Sequence, residues 1–205
     1  MNKEWSELNK TMQAQIKKKD TYKMGIDTLF NLRRQLMQTL VSFKEDLCRE
    51  DFNAIPFINA DGYHSKTIAY SIWHIFRIED IVAHTVITED EQVFFTGNYQ
   101  VRINSPIITT GNELVKQQIA DFSKQLNLEE LYSYIFEVRE STEKILERFS
   151  YDELKWKIPD ERKGYLKSLN VVNCDEKAIW LIDYWCSKDT VSYTHLRAHE
   201  TEADL

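Results

Sequence analysis

Two polar side chains stand among aliphatic neighbours in the run Ser71-Ile72-Trp73-His74-Ile75-Phe76-Arg77-Ile78-Glu79-Asp80. A helix advances about 100° per residue. On that wheel Ile68, Ile72, Ile75, Ile78, Ile81, Val82 and Val86 form one wide apolar arc. His74 lies inside the arc near its shoulder, and Glu79 lies beside Ile68 and Ile72. An unpaired buried polar group costs about 1–3 kcal/mol, so both need partners. The phase predicts a buried His74, and a buried Glu79 that accepts from an Arg, Tyr or Trp donor on another helix. A neutral imidazole placed there is either a hydrogen-bonded core residue or a metal ligand. Arg77, Asp80 and His84 fall on the opposite side, where solvent is expected. His64, His74 and His84 are ten residues apart, which turns each to a different face, so they make no triad on one helix.

Other chemistry is thinly represented. Cys48, Cys174 and Cys186 form no CxxC pair and read as buried small hydrophobes. Glu137, Glu140, Glu143 and Glu147 follow a solvated helical face, and the Glu-x-x-His pair of di-iron bundles is absent from the sequence. Trp180, Tyr184 and Trp185 read as packing. No glycine-rich phosphate loop, GxSxG or HExxH occurs.

The elements that position these residues are helical. Residues 3–18 carry a thin stripe of Trp5, Leu8, Met12 and Ile16, which is either an appended helix on the outside of the protein or a solvated extension. Residues 22–48 place Ile26, Leu29, Phe30, Leu36, Met37, Leu40, Phe43 and Leu47 on one face. A loop through Pro56 and Asp61-Gly62 leads to Ser65, which offers an N-cap to the His74 helix at about 66–87. Residues 88–112 read as a long connection with room for a short helix. Asn127 and Glu130 have capping-box spacing, and Leu128, Leu131, Ile135, Val138, Thr142, Ile145 and Phe149 then follow a bundle period. Ser150 and Glu153 repeat the cap before a short helix that stops ahead of Pro159. Asp175 opens a last helix to about Lys188, with Ile179, Ile182, Trp185 and Cys186 inward. The expectation is an all-α, antiparallel four-helix bundle: an extension at 1–20, the bundle at 21–190, and a tail at 191–205.

The run from Lys66 to Asp80, with its Trp-His-Ile-x-Arg-x-Glu-Asp core, resembles the second-helix signature of the DinB-like metalloenzyme family. The resemblance covers residues 22–190. It implies a four-helix bundle with a divalent metal, Zn or Ni, held by His74 and by a His-x3-His pair on the last helix. It also implies, for some members, transfer chemistry with a low-molecular-weight thiol. The only His-x3-His pair here is His195 and His199. The string Val191-Ser-Tyr-Thr-His-Leu-Arg-Ala-His-Glu-Thr201 that holds it is similar to a translated sequencing-library adapter of the transposase-tagmentation type. The pair is therefore rejected as ligands, and the natural chain is expected to continue past Asp189 with the missing histidines. On that reading the last helix is incomplete, an apolar groove opens beside Ile179 and Ile182, and the 205-residue chain binds metal poorly.

Composition narrows the classes. Five glycines and three prolines in 205 residues are about a third of ordinary usage, too few for a turn-dense β fold. With 42% hydrophobic and 12% aromatic residues, a core is affordable. A net charge of −7 without a basic stripe speaks against nucleic acid. No run approaches the roughly 20 apolar residues of a membrane helix, and no secretory signal is visible, so a cytoplasmic location is expected. Two functions stay open: a DinB-like metal-dependent transferase or hydrolase, and a non-catalytic bundle that dimerises or binds a small ligand with His74 structural.

Overall fold

A computed structural model describes residues 3–55, 66–153 and 156–187, and all regular structure among them is helical. The long helices are α1 (Lys3–Ile16), α2 (Tyr22–Asp46), α4 (Ile68–Asp80) and α8 (Leu128–Arg148). Shorter ones are α3 (Arg49–Asn53), α5 (Val93–Thr96), α6 (Tyr99–Ile103), α7 (Gln117–Gln125), α9 (Glu161–Ser168) and α10 (Glu176–Cys186). Residues Ile81–Thr88 continue α4 as a π-helical segment.

The stripe on α1 packs. Met12 and Ile16 are fully buried with Ile26, Leu29, Leu32 and Leu146. A short 3₁₀ turn, Lys19–Thr21, doubles the chain back, and the two helices touch closely at Gly25. A Cβ there would stand 2.7 Å from both the backbone N and the Cγ1 of Ile16. Only glycine permits that approach.

α8 follows its sequence signature. The Asn127 side chain accepts from the amides of Glu129 and Glu130, and Leu131, Ile135 and Val138 face the core. The stripe of α2 buries Ile26, Leu29, Met37 and Leu40, while Phe30, Leu36, Phe43 and Leu47 are partly buried against the same cores. At α4 the N-cap is Thr67, whose hydroxyl accepts from the Tyr70 amide at 3.0 Å, in place of the predicted Ser65.

The larger departure is that α4 has no solvent face. Every residue from Ala69 to Asp80 is buried, and α4 packs against α3, α5, α7 and α8. The connection 88–112 causes this. It forms α5 and α6, buries Phe94, Tyr99 and Ile103 in the main core, and covers the side of α4 that the wheel assigned to solvent. Neither α7 nor α9 was predicted. α7 adds Ile119 and Phe122 to the same core, and Trp73 meets Phe122 edge-on at 4.8 Å.

A second cluster joins the π segment to the C-terminal part of the described chain. Ile78, Ile81, Val82 and Val86 pack with Leu166, Val171 and Val172 and with Ala178, Leu181, Ile182 and Trp185. The apolar groove expected beside Ile182 is thus filled: Ile182 is fully buried, covered by α9 and residues 166–172. Ile179 is partly buried, as is Tyr184, while Trp180 stands half exposed and edge-on to Tyr184 at 5.8 Å. The loop at Pro56 and Asp61-Gly62, His64, Ser65 and the tail with His195 and His199 lie outside the described residues.

Candidate functional site

His74 is buried, as its phase requires. Its Nδ1 lies 2.5 Å from the carbonyl oxygen of Thr110. A carbonyl only accepts, so Nδ1 carries the proton, and in the neutral ring Nε2 is the basic nitrogen. The Tyr70 ring stacks on the imidazole with centroids 5.3 Å apart and planes within 11°, which fixes the ring plane.

His74 is one rung of a ladder. Tyr70 Oη donates to the Gly111 carbonyl at 2.9 Å, His74 Nδ1 to Thr110, and Arg77 Nη2 to Ile108 at 2.7 Å. Positions i, i+4 and i+7 lie on one side of a helix, so a single edge of α4 grips three backbone carbonyls of the strip 108–111. Gly111, at φ +79°, lets the strip lie flat on that edge. A Cβ there would fall 2.8 Å from the Trp73 ring. The strip also buries Thr110 Oγ1, Asn112 Oδ1 and Glu113 Oε2 with no hydrogen-bond partner among the described residues.

Glu79 is paired as predicted, with an arginine of another helix. Arg33 Nη2 on α2 lies 2.7 Å from Glu79 Oε1, and Arg33 Nε lies 3.3 Å from Glu143 Oε1 on α8. Burial works against the guanidinium charge, but the Glu79 and Glu143 carboxylates more than offset it and hold the Arg33 pKa up. The ion pair ties three helices together beside the site.

Arg77, Asp80 and His84, expected in solvent, are buried at 0%, 0% and 5% exposure. Arg77 also donates to Gln92 Oε1 at 2.6 Å and stacks over the Phe94 ring at 4.2 Å. Asp80 accepts from the first-turn amides of α5, Val93 and Phe94, both at 2.8 Å, and from Tyr134 Oη at 2.9 Å. Burial pushes the Asp80 carboxyl up, opposed by the Arg77 charge, and burial lifts the Tyr134 phenol well above its ordinary value. These groups anchor the 88–112 segment on α4. Their polarity alone does not distinguish a covered face from a solvated one.

Of the cysteines, only Cys186 is buried; Cys48 and Cys174 are exposed, against expectation. Cys48 stays out because it begins α3, where its backbone N–H donates to Asp51 at 2.9 Å. The Asp51 carboxylate beside it raises the Cys48 thiol pKa, and burial raises that of Cys186, so neither is an activated nucleophile.

Among the described residues no three His, Cys, Asp or Glu side chains converge on a point where one metal ion would sit. His74 supplies a single oriented donor. Among the described residues no helix is long and apolar enough to cross a membrane. No family model, no curated protein and no solved structure matches the chain.

Proposed function

We propose that the chain is a DinB-like antiparallel four-helix bundle in which His74 is the imidazole ligand of a divalent metal, Zn or Ni. Its other ligands would come from natural sequence beyond Asp189, where the adapter-like string begins. One observation carries the reading: the Thr110 carbonyl holds the His74 Nδ1 proton and leaves Nε2 as the basic atom of a ring clamped by Tyr70. Metal-ligating histidines are held in this way, with the second nitrogen donating to a carbonyl or carboxylate that fixes tautomer and plane. One imidazole donor, with no group of three His, Cys, Asp or Glu converging among the described residues, fits one ligand of a three- or four-ligand site. When bound, such an ion lowers the pKa of a coordinated thiol or water, the chemistry of a thiol-dependent transferase or a hydrolase.

A specific observation favours a second reading. The ladder of Tyr70, His74 and Arg77 on the 108–111 carbonyls gives His74 a structural task without any ion. Recovering the uninterrupted gene separates the two. Two histidines four apart past Asp189, with about one equivalent of metal in the purified product, support the metalloenzyme. Their absence together with a metal-free product supports the structural role.

A further inference from the structure

His84 is not used by the reading above, and it sits in unusual backbone. It lies within an eight-residue π-helical segment that ends at Glu89 in the left-handed region, φ +62°. Such windings are rare and concentrate at functional sites. The imidazole is buried but borders an open cleft of about 680 Å³ between the segment after the π turn and α8. Its two nitrogens are both engaged. Asp90 Oδ1 lies 2.6 Å from Nδ1, and Ser141 Oγ on α8 lies 3.0 Å from Nε2. A carboxylate only accepts, so the proton is on Nδ1 and Nε2 accepts from the Ser141 hydroxyl. No local spacing could have revealed this, since Ser141 is 57 residues from His84.

We propose that Ser141, His84 and Asp90 form a nucleophilic relay that hydrolyses esters carrying a positive charge. The three groups have the roles the chemistry needs: a hydroxyl nucleophile, a base within hydrogen-bond reach, and a carboxylate that orients the base. Ser141 Oγ adds to the ester carbonyl carbon as its proton passes to His84 Nε2, and the carbonyl electron pair moves onto oxygen. The imidazolium is held at Nδ1 by Asp90. When the C–O bond breaks, it returns the same proton to the leaving alkoxide. Water then repeats the sequence on the acyl-serine, releasing the acid and restoring the hydroxyl. Lys144, one helical turn beyond Ser141, lines the same cleft; it is paired with Glu140 at 2.6 Å and would have to turn from that exposed pair to meet the oxyanion. Asp90, Glu91, Glu137 and Glu140 line the cleft against that one lysine, which selects a cationic alcohol portion.

The test is covalent labelling of the 205-residue chain with an alkyl fluorophosphonate, read by peptide mass spectrometry. The proposal expects one phosphonyl adduct on Ser141, absent in Ser141→Ala. It expects labelling slowed about a hundredfold in Asp90→Asn, because the base His84 then loses the carboxylate that orients it. Asp90 is half exposed, so that variant keeps the fold, and circular dichroism checks it. With acetylcholine and its neutral isostere 3,3-dimethylbutyl acetate as paired substrates, kcat/KM relative to the uncatalysed rate should favour the cationic ester at least about tenfold. No adduct on the folded chain, or an adduct that survives in Ser141→Ala, overturns the relay and leaves His84 a tie between the π segment and α8. Equal or reversed preference overturns the charge selection.

Discussion

Replacing Asp80 by asparagine keeps the side chain's shape and removes its charge and one acceptor. In the wild type, Oδ1 accepts from the Val93 amide and Oδ2 from the Phe94 amide and the Tyr134 hydroxyl. Whichever way the asparagine is turned, its NH₂ faces a backbone N–H. One buried amide is stranded, at about 1–3 kcal/mol. Arg77, fully buried, also loses its anion, and breaking a buried pair costs about 3–5 kcal/mol. The Arg77–Asp80 separation is long, 3.5 Å, and Arg77 keeps its bonds to Ile108 and Gln92, so the lower part of that range applies. A total destabilisation of about 4–6 kcal/mol follows, or a fall in Tm of about 8–24 °C at this chain length. Urea unfolding followed by far-ultraviolet circular dichroism at neutral pH measures it. Glu140→Gln, on an exposed pair with Lys144, is the control and should change stability by less than about 0.5 kcal/mol. The sign with pH is also fixed. Burial raises the Asp80 pKa in the folded state, so its titration adds stability in acid that is lost as pH rises through the raised value. A gap between wild type and Asp80→Asn under about 1 kcal/mol at every pH would refute the assignment of this carboxylate as the anchor of α5.

Gly25→Ala should destabilise by about 1–3 kcal/mol despite alanine's better helix propensity, because the new Cβ meets the Ile16 backbone; thermal unfolding reads it. Spectrophotometric titration of the phenols should show Tyr99 and Tyr132 ionising late, near their pKa values of about 12, and Tyr134 not before unfolding. Burial raises all three, so their contribution to stability is complete below the ordinary phenol value and is lost as pH climbs through the raised ones. Cys186 should stay unreactive to a thiol reagent until denaturant unfolds the chain, whereas exposed Cys48 reacts in the native state.

Local period and caps made the helices legible where one layer of chain decides burial. α8 is the clear case, with Asn127 as its cap and Leu131, Ile135 and Val138 inward. The phase of α4 likewise placed His74 and Glu79 inside, and the donor type for Glu79 followed from its burial. A wheel says which residues share a face, but not whether another segment covers that face. Arg77 and Asp80 were misread for that reason, since α5, α6 and the 108–111 strip lie over them. His84 was misread for a second reason: beyond Asp80 the winding is π, so each residue turns less than the α-helical angle the wheel assumes. α9 was illegible because its eight residues bury only Leu166, which leaves no stripe to read.

The central claim concerns His74, and calorimetric titration with Zn²⁺ tests it most directly. The product of the uninterrupted gene should bind one equivalent tightly, and His74→Ala in that product should abolish the site. The 205-residue chain, which brings no three His, Cys, Asp or Glu side chains together among the described residues, should show no tight stoichiometric binding. A tight site in the uninterrupted product that survives His74→Ala, or no site in that product, would contradict the account.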